Sequence, residues 1–194
     1  MACVTPVDDV AGPGDLPFRT DVEIALLLVS RRHRYEGRPA DGALPVRPSD
    51  PDELRDRVEL RAGLGIVGDR YFGSRAHVHA SVTLIALESL EAVGEALDVS
   101  VDPVATRRNV FLRGADVEAL RGEPFSLESP GAGGPVRFRG YRAANPCAWM
   151  DHEVAPGAFR AMRGRGGVRC DPESDGVLAL GPAVLRTARP VPLA

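Results

Sequence analysis

Glycine and proline interrupt this chain so often that its apolar residues fall into short runs. The 194 residues include 21 glycines and 17 prolines. Short apolar runs bounded by these residues are typical of strands, whereas helices need longer periodic segments. The runs that predict strands lie at residues 22–29, 57–61, 110–112, 125–127 and 136–139. We therefore predict a mainly β fold, a closed or partly closed barrel of short strands with a few peripheral helices.

Four further segments complete the predicted secondary structure. Residues 77–85 alternate and favour a strand, after which apolar residues recur at helical spacing from Leu87 to Leu97. Residues 158–163 predict one or two helical turns, and residues 176–185 predict two short strands joined at Gly181-Pro182. The glycines between residues 63 and 70 lack the strand-to-helix context of a dinucleotide-binding loop, so this segment is interpreted as a turn-rich loop.

Length and composition describe one ordinary globular domain. Residues 1–20 predict a flexible tail, and residues 21–190 predict a single domain. The apolar fraction is 44% and the formal net charge is -3, which gives no support for a nucleic-acid partner. No apolar run of about 18 residues occurs, and the start has no basic flank before an apolar stretch. We expect a cytoplasmic protein with no membrane partner.

The basic residues are all arginine, because the sequence contains no lysine and Lys and Arg together number 24. A Schiff base to pyridoxal phosphate or to a carbonyl substrate requires a lysine amine. That mechanism is excluded within this chain, and no covalent pyridoxal phosphate is expected. The arginines remain suited to bidentate binding of phosphate or carboxylate.

Cys147 is the cysteine whose surroundings suggest chemistry. It follows a predicted strand, with Arg142 upstream and Pro146 directly before it. A nearby arginine stabilises the thiolate, which makes the sulfur a candidate soft-metal ligand or sulfur carrier. His152 is a candidate base for this thiol. The alternative is that Cys147 packs in the core against Trp149, as free cysteines often do.

The other two cysteines give no second thiol site. Cys3 lies in the predicted tail, and Cys170 is interpreted as the point where a glycine-rich loop enters an acidic turn. The spacing of Cys3, Cys147 and Cys170 fits neither a disulfide framework nor a Cys-x-x-Cys zinc site. Reduced thiols are the expected state.

Two arginine clusters are candidate anion sites. Arg107 and Arg108 precede Asn109 at the entrance of a predicted strand, where two guanidinium groups and an amide suit a phosphate and the edge of a heterocycle. A second cluster has the same interpretation and comprises Arg31, Arg32, His33, Arg34 and Arg38. For both clusters the alternative is an ordinary solvated surface.

Asp69 and two histidines are weaker candidates. Asp69 is interpreted as capping a turn through its own backbone. His77 and His79 would share one face of a predicted strand, which permits metal binding, but two histidines without a third ligand also fit a solvated pair. A Ser-His-Asp hydrolase is not supported, because no Gly-x-Ser-x-Gly segment occurs.

Six short motifs follow one another along the chain. They lie at residues 65–70, 82–85 with Glu88, 107–110, 114–116, 146–147 and 175–181. In this order they resemble the MOSC domain of molybdenum cofactor sulfurases and amidoxime-reducing molybdenum proteins, over about residues 22–187. The resemblance implies a MOSC-type, pyruvate-kinase β-barrel-like fold and binding of the molybdenum cofactor (molybdopterin). It also implies a cysteine that is a molybdenum ligand or a sulfur carrier.

The resemblance also assigns candidate site residues. Cys147 matches the family's thiol and is the expected catalytic and metal-binding residue, and Arg107 and Asn109 match an Arg-x-Asn step near the cofactor. The candidate cofactor-binding residues are Arg107, Arg108, Asn109, Arg142, Asn145 and Asp69. Arg108 stands where family members often have proline. Arg31, Arg32 and Arg38 are candidates to replace the basic residues with which larger members bind the cofactor phosphate.

The resemblance leaves two functions open, beside a third possibility of a degenerate binding module in which Cys147 is inert. The first is a protein that binds the molybdenum cofactor and reduces N-oxygenated substrates, with electrons from a separate redox partner protein. The alternative is a noncatalytic sulfur carrier, which receives persulfide sulfur from a cysteine desulfurase on Cys147 and passes it to a metal centre or cofactor. The sequence does not decide whether the chain is an enzyme.

Overall fold

The computed structural model describes residues 15–47, 49 and 51–194, which form short strands and three small α-helices. The strands are β1 Phe18–Leu27, β2 Arg57–Arg61, β3 Gly65–Ile66, β4 Val82–Ala86, β5 Val110–Arg113, β6 Pro124–Glu128, β7 Val136–Ala143, β8 Val168–Pro172, β9 Gly176–Ala179 and β10 Gly181–Thr187. The helices are α1 Leu87–Leu97, α2 Trp149–Glu153 and α3 Ala158–Ala161. Of the predicted tail, residues 1–14 lie outside the described residues, and β1 begins within its remainder.

Seven strands close into a barrel in the order β1-β10-β6-β7-β8-β4-β5. The barrel closes where β5 pairs antiparallel with β1, so that Glu23 lies opposite Arg113 and Leu27 opposite Val110. β4 and β5 run parallel, because α1 carries the chain back between them. The remaining strands form a small sheet in the order β3-β2-β9. The prediction of a mainly β barrel with few helices is confirmed.

The barrel interior is an apolar core built by alternation along the strands. In β7, Val136 and Phe138 are buried whereas Arg137 is exposed between them. The rings of Phe125 and Phe138 stack with centroids 5.2 Å apart. Period-two alternation places every second side chain on the core face, so these short strands suffice to fill the barrel.

A second apolar cluster lies between the barrel wall and the three helices. Ile85 and Phe111 face outward into it, and Leu90, Trp149 and Met162 meet them from the helices. All five residues of β4 are buried, because one face of the strand lines the barrel and the other lies under this cluster. Trp149 and Met150 anchor α2 here, and this fixes the position of the residues just before that helix.

The predicted strand at residues 77–85 begins later than expected. Residues Arg75–His77 form a 3-10 turn, and His79 has a φ of 64°, so His77 and His79 do not share a strand face. Asp171 holds the turn, because its carboxylate accepts hydrogen bonds from the backbone N–H groups of His79 and Ser81, each at 2.9 Å. This contact spans about ninety residues, so local alternation could not reveal it.

The interpretation of Cys170 as a loop residue is wrong. Cys170 lies in the middle of β8, opposite Val82 of β4 and Gly140 of β7. β8 alternates buried and partly exposed residues. Because its outward positions hold arginine and aspartate, the segment contains no apolar run that would predict a strand. Burial raises the pKa of the Cys170 thiol well above its usual value, so the group is a neutral core residue.

No helix in the described part of the chain is long and apolar enough to cross a bilayer.

Candidate functional site

A cavity of about 260 Å³ brings Cys147 together with five arginines. We call it the arginine cavity. Its walls come from the segment after β1, the loop before β4, the turn before β5, the segment after β7, and β8. The lining residues are His33, Arg34, Tyr35, Arg70, Tyr71, Ala80, Thr83, Thr106, Arg107, Arg108, Asn145, Cys147, Trp149, Met150 and Arg169. None of these lining residues is acidic, so the wall is strongly cationic.

Cys147 is exposed at the turn that joins β7 to α2. β7 ends at Ala143, and the Cys147 carbonyl accepts the backbone N–H of Met150 at 2.9 Å, which begins the turn into α2. The alternative in which Cys147 packs in the core is therefore not what the structure shows: Trp149 is buried and the thiol is accessible.

One wall of the arginine cavity is aromatic. The rings of Tyr35 and Trp149 stack with centroids 5.0 Å apart and an interplanar angle of 9°. The Tyr35 hydroxyl donates to the Ala105 carbonyl at 2.5 Å. Burial, assisted by the negative charge of Glu153, raises the pKa of Tyr35 to about 12, so the phenol is neutral at physiological pH. This wall offers a flat, uncharged surface beside the cationic one.

Arg108 is held in place by backbone carbonyl groups. Its Nε donates to Gly166 at 2.9 Å, its Nη2 to Ala144 at 2.6 Å and its Nη1 to Thr106 at 3.3 Å. Among the described residues no carboxylate forms a salt bridge with it. Burial, followed by the charge of Arg169, lowers the pKa of Arg108 to about 10. The guanidinium is therefore still cationic at neutral pH, and its charge is not neutralised by a partner.

Arg70 and Arg169 supply further unused donors. The Arg70 side chain is only 10% exposed, lies 4.4 Å above the Tyr71 ring, and leaves Nε and Nη1 buried without a hydrogen bond. Its Nη1 forms an ion pair with Asp69 Oδ2 at 3.6 Å, a distance too long for a hydrogen bond. The Arg169 guanidinium on β8 forms no hydrogen bond or salt bridge within the described ranges. Burial and the charge of Arg142 lower the pKa of Arg169, as expected for crowded cations.

Arg107 lines the cavity but its guanidinium is already occupied. Its Nη1 and Nη2 donate to the two carboxylate oxygens of Glu53 at 2.6 and 2.7 Å, and Nη2 also bonds the Ser30 hydroxyl. The side chain is 7% exposed. Arg34 also approaches Glu53, at 3.8 Å. Both cavity arginines on this side therefore have a counter-charge behind the wall.

Asn109 and Asp69 lie behind the wall and not in it. The Asn109 side chain donates to Leu28 and to Asp69 Oδ2, each at 3.1 Å, and accepts from Thr83 N and Oγ1 at 3.0 and 2.9 Å. All of its hydrogen-bonding capacity is thus used internally. Asp69 Oδ1 accepts the Tyr71 N–H at 3.0 Å, which confirms the predicted turn cap, and Oδ2 accepts the Ser30 N–H at 3.1 Å.

The other candidates from the sequence are divided between the cavity and its surroundings. Asn145 lines the cavity, whereas Arg142 lies on β7 opposite Arg169 of β8 and is exposed. His152 has its Nδ1 3.1 Å from Glu153 Oε1 and is not among the lining residues. Of the cluster at residues 31–38, His33 and Arg34 line the cavity.

Sequence reasoning missed Arg70, Arg169 and the aromatic residues of the wall. Arg70 directly follows Asp69 in a predicted loop. Arg169 belongs to β8, which the sequence did not predict. A period-two pattern that accepted arginine at outward positions would have found β8. No cluster of three or more His, Cys, Asp or Glu side chains suited to a metal ion occurs among the described residues.

Comparisons with known proteins identify the fold. No family model matches the sequence, and no curated protein matches it. The crystal structure of the YuaD protein from Bacillus subtilis is similar with a TM-score of 0.66 and 15% identity, over 89% of this chain and 99% of that chain. A protein described as hypothetical has a TM-score of 0.54 and 14% identity, over 89% and 70% of the two chains. YiiM from Escherichia coli has a TM-score of 0.49 and 16% identity, over 90% and 72%.

Proposed function

We propose that this chain is a MOSC-like protein that binds the molybdenum cofactor in the arginine cavity, with Cys147 as the thiolate ligand of molybdenum. The observation that carries the proposal is that an exposed thiol opens onto the same cavity as five arginines. A pterin cofactor that bears a phosphate requires cationic donors, and its metal is a soft centre that suits a thiolate.

The residues present fit such a group. Arg70 lines the cavity and its buried Nε has no hydrogen-bond partner, which a phosphate oxygen would supply. Arg108 and Arg169 add charge that no carboxylate within the described residues neutralises. The flat wall of Tyr35 and Trp149 suits a planar heterocycle, and Asn145 offers an amide for its edge. Cys147 supplies the sulfur.

Within this proposal the chain binds and orients while the cofactor, when bound, supplies two-electron transfer to an N-oxygenated substrate. Cys147 holds the metal end, and the arginines hold the anionic end. Tyr35 keeps its proton on the phenol oxygen because burial raises its pKa to about 12. Electrons would come from a separate redox partner protein.

The alternative, a sulfur carrier loaded by a cysteine desulfurase, is not favoured. Persulfide transfer requires an accessible thiol but no enclosed cationic cavity beside it. Arg108 and Arg169, which no carboxylate pairs with among the described residues, would then have no anion to bind.

The test is elemental analysis for molybdenum, with pterin fluorescence after oxidation, on protein from a host that makes the cofactor. We expect near-stoichiometric molybdenum and pterin in the wild type, and loss of molybdenum in Cys147→Ser, which removes the soft ligand and keeps its size. Cys170→Ala is the matched control, since that thiol is buried in β8. Absence of molybdenum and pterin from the wild type, or full retention in Cys147→Ser, contradicts the proposal.

A further inference from the structure

A single peptide group links the cavity arginine Arg108 to a buried carboxylate outside the cavity. The carbonyl oxygen of Gly166 accepts from Arg108 Nε at 2.9 Å, and the N–H of Gly167 donates to Glu118 Oε1 at 2.6 Å. These two atoms belong to the same peptide bond and point in opposite directions. The cation therefore lies at the negative end of the peptide dipole and the carboxylate at its positive end.

The chain permits this arrangement only because both residues of the peptide are glycine. A Cβ on Gly166 would lie 2.5 Å from the Ala144 carbonyl oxygen, and one on Gly167 would lie 2.0 Å from that of Leu84. Gly167 also has a φ of 91°, a conformation that favours glycine. The Ala144 carbonyl in turn accepts from Arg108 Nη2 at 2.6 Å, so the same close approach holds the arginine twice.

Glu118 is placed by its own local structure. It lies in the 3-10 turn Val117–Leu120, where Asp116 caps the turn by accepting the Glu118 N–H at 3.0 Å. The Glu118 side chain is 14% exposed, and its Oε2 is buried without a hydrogen bond. Burial raises the pKa of Glu118, opposed by the Gly167 N–H and by Arg121, whose Nη2 is 3.7 Å away. A carboxylate this buried has a cost, which the hydrogen bond to Gly167 offsets in part.

We propose that Glu118 is a positioning residue of the arginine cavity: through the Gly166-Gly167 peptide it fixes the Arg108 guanidinium for anion binding. Its part in holding the cofactor rests on the proposed function. The coupling of Glu118 to Arg108 is a property of the protein alone, and both of its readouts are made without cofactor.

The chain contains a matched control in Glu88. Its Oε1 accepts the Gly114 N–H at 2.9 Å, its Oε2 is also buried without a hydrogen bond, and an arginine lies 4.0 Å away. The side chain is 25% exposed. Removing either carboxylate therefore breaks a similar hydrogen bond from a glycine N–H. Of the two, only Glu118 bonds to a peptide that also holds a cavity arginine, Arg108.

The first readout is the Nε–H resonance of Arg108 in the full chain labelled with ¹⁵N, assigned by its loss in Arg108→Gln. We expect Glu118→Ala to speed exchange of this proton with water by at least about tenfold, because the peptide no longer holds the carbonyl in place. Glu118→Gln keeps an acceptor oxygen but loses the charge that strengthens the bond to the Gly167 N–H, so it should speed the exchange by about threefold. Glu88→Ala should leave it unchanged.

The second readout is the dissociation constant of inorganic phosphate. Glu118→Ala is expected to weaken phosphate binding about fivefold, because the hydrogen bond that fixes the Gly166-Gly167 peptide is lost. Glu118→Gln is expected to weaken binding about twofold, and both effects should vanish in the Arg108→Gln background, which a merely structural role would not produce.

If the exchange rate of the Arg108 Nε proton is unchanged in both Glu118 variants, the inference is overturned, whether or not phosphate binds. If Glu118→Ala does not fold, Glu118→Gln and the double-mutant comparison still decide. A chain that shows this coupling but retains no molybdenum or pterin would refute the proposed function and leave the Glu118 assignment standing.

Discussion

The Glu53 carboxylate accepts hydrogen bonds from both terminal nitrogens of Arg107, at 2.6 and 2.7 Å. This bidentate ion pair lies behind the wall of the arginine cavity. This pair separates the cavity arginines by role. Arg107 is neutralised and fixed, whereas Arg108 and Arg169 carry charge that no carboxylate pairs with among the described residues. Charge available for a ligand therefore lies on the side of β8 and of the turn before β5.

Replacing Arg107 should affect folding more than binding. Arg107→Ala would leave the Glu53 carboxylate, which is 18% exposed, without its main partner. We expect the free energy of unfolding to fall by about 3 kcal/mol, as for other broken buried pairs. Urea unfolding measures this. Arg19→Ala breaks the exposed pair with Asp21 and should cost about 0.5 kcal/mol or less. Equal stability of the two variants would contradict the structural role of Arg107.

The same pair should make stability depend on acid pH. The hydrogen bond from Arg107 is the largest cause that lowers the pKa of Glu53 below its usual value of 4.5. A lowered folded-state pKa gives stability that is present above 4.5 and is lost as pH falls through the folded value. Unfolding measured from pH 6 to about pH 3 should therefore show a steeper loss in the wild type than in Glu53→Gln. Parallel profiles would argue against this coupling.

Arg169 should behave in the opposite way to Arg107. Since its guanidinium forms no hydrogen bond or salt bridge within the described residues, Arg169→Gln leaves no partner stranded and should change stability by about 0.5 kcal/mol or less. Inorganic phosphate should bind roughly tenfold more weakly, because one charge-assisted hydrogen bond is lost. Arg160→Gln on α3 is the control for loss of charge at an exposed site. Similar phosphate affinities in the two variants would remove Arg169 from the site.

Anion binding in the cavity should be coupled to the protonation of His33. Burial, together with the charge of Arg70, lowers the pKa of His33 below 6.5 in the absence of ligand. A bound anion partly cancels the arginine charge and raises that pKa again, so binding takes up a proton. Sulfate, unlike phosphate, does not itself titrate near neutral pH, so its affinity should increase as pH falls below the ordinary histidine value of 6.5, and His33→Gln should flatten this profile. Calorimetry in buffers of different ionisation enthalpy would measure the uptake. Proton release would contradict the assignment.

Much of the architecture could be predicted from local patterns. The apolar runs at residues 57–61 and 110–112 became β2 and β5, where their apolar side chains are buried. The segment at residues 77–81 did not become strand, because Asp171 captures its backbone N–H groups from about ninety residues away. β8 escaped prediction because its outward side chains include an arginine and an aspartate. Long-range hydrogen bonds and outward polar positions leave no local pattern.

The candidate site could likewise be predicted from the sequence only in part. The sequence placed Cys147 after a strand and Arg107 and Arg108 before one, and the structure brings all three to one cavity. It could not indicate that Asn109 and Asp69 bond to each other at 3.1 Å behind the wall. Nor could it join Arg169 to this group.

By itself, the sequence determined that short strands would close a mainly β fold, and that the chain's cations would be guanidinium groups with no lysine amine among them. Tertiary structure decided which of those cations keep their charge for a ligand. Arg107 meets Glu53 across 54 residues of chain, and Arg108 reaches Glu118 only through a peptide 58 residues away. Neutralisation and desolvation act at distances of a few ångströms, so they depend on which segments the barrel brings together and not on which residues are neighbours along the chain.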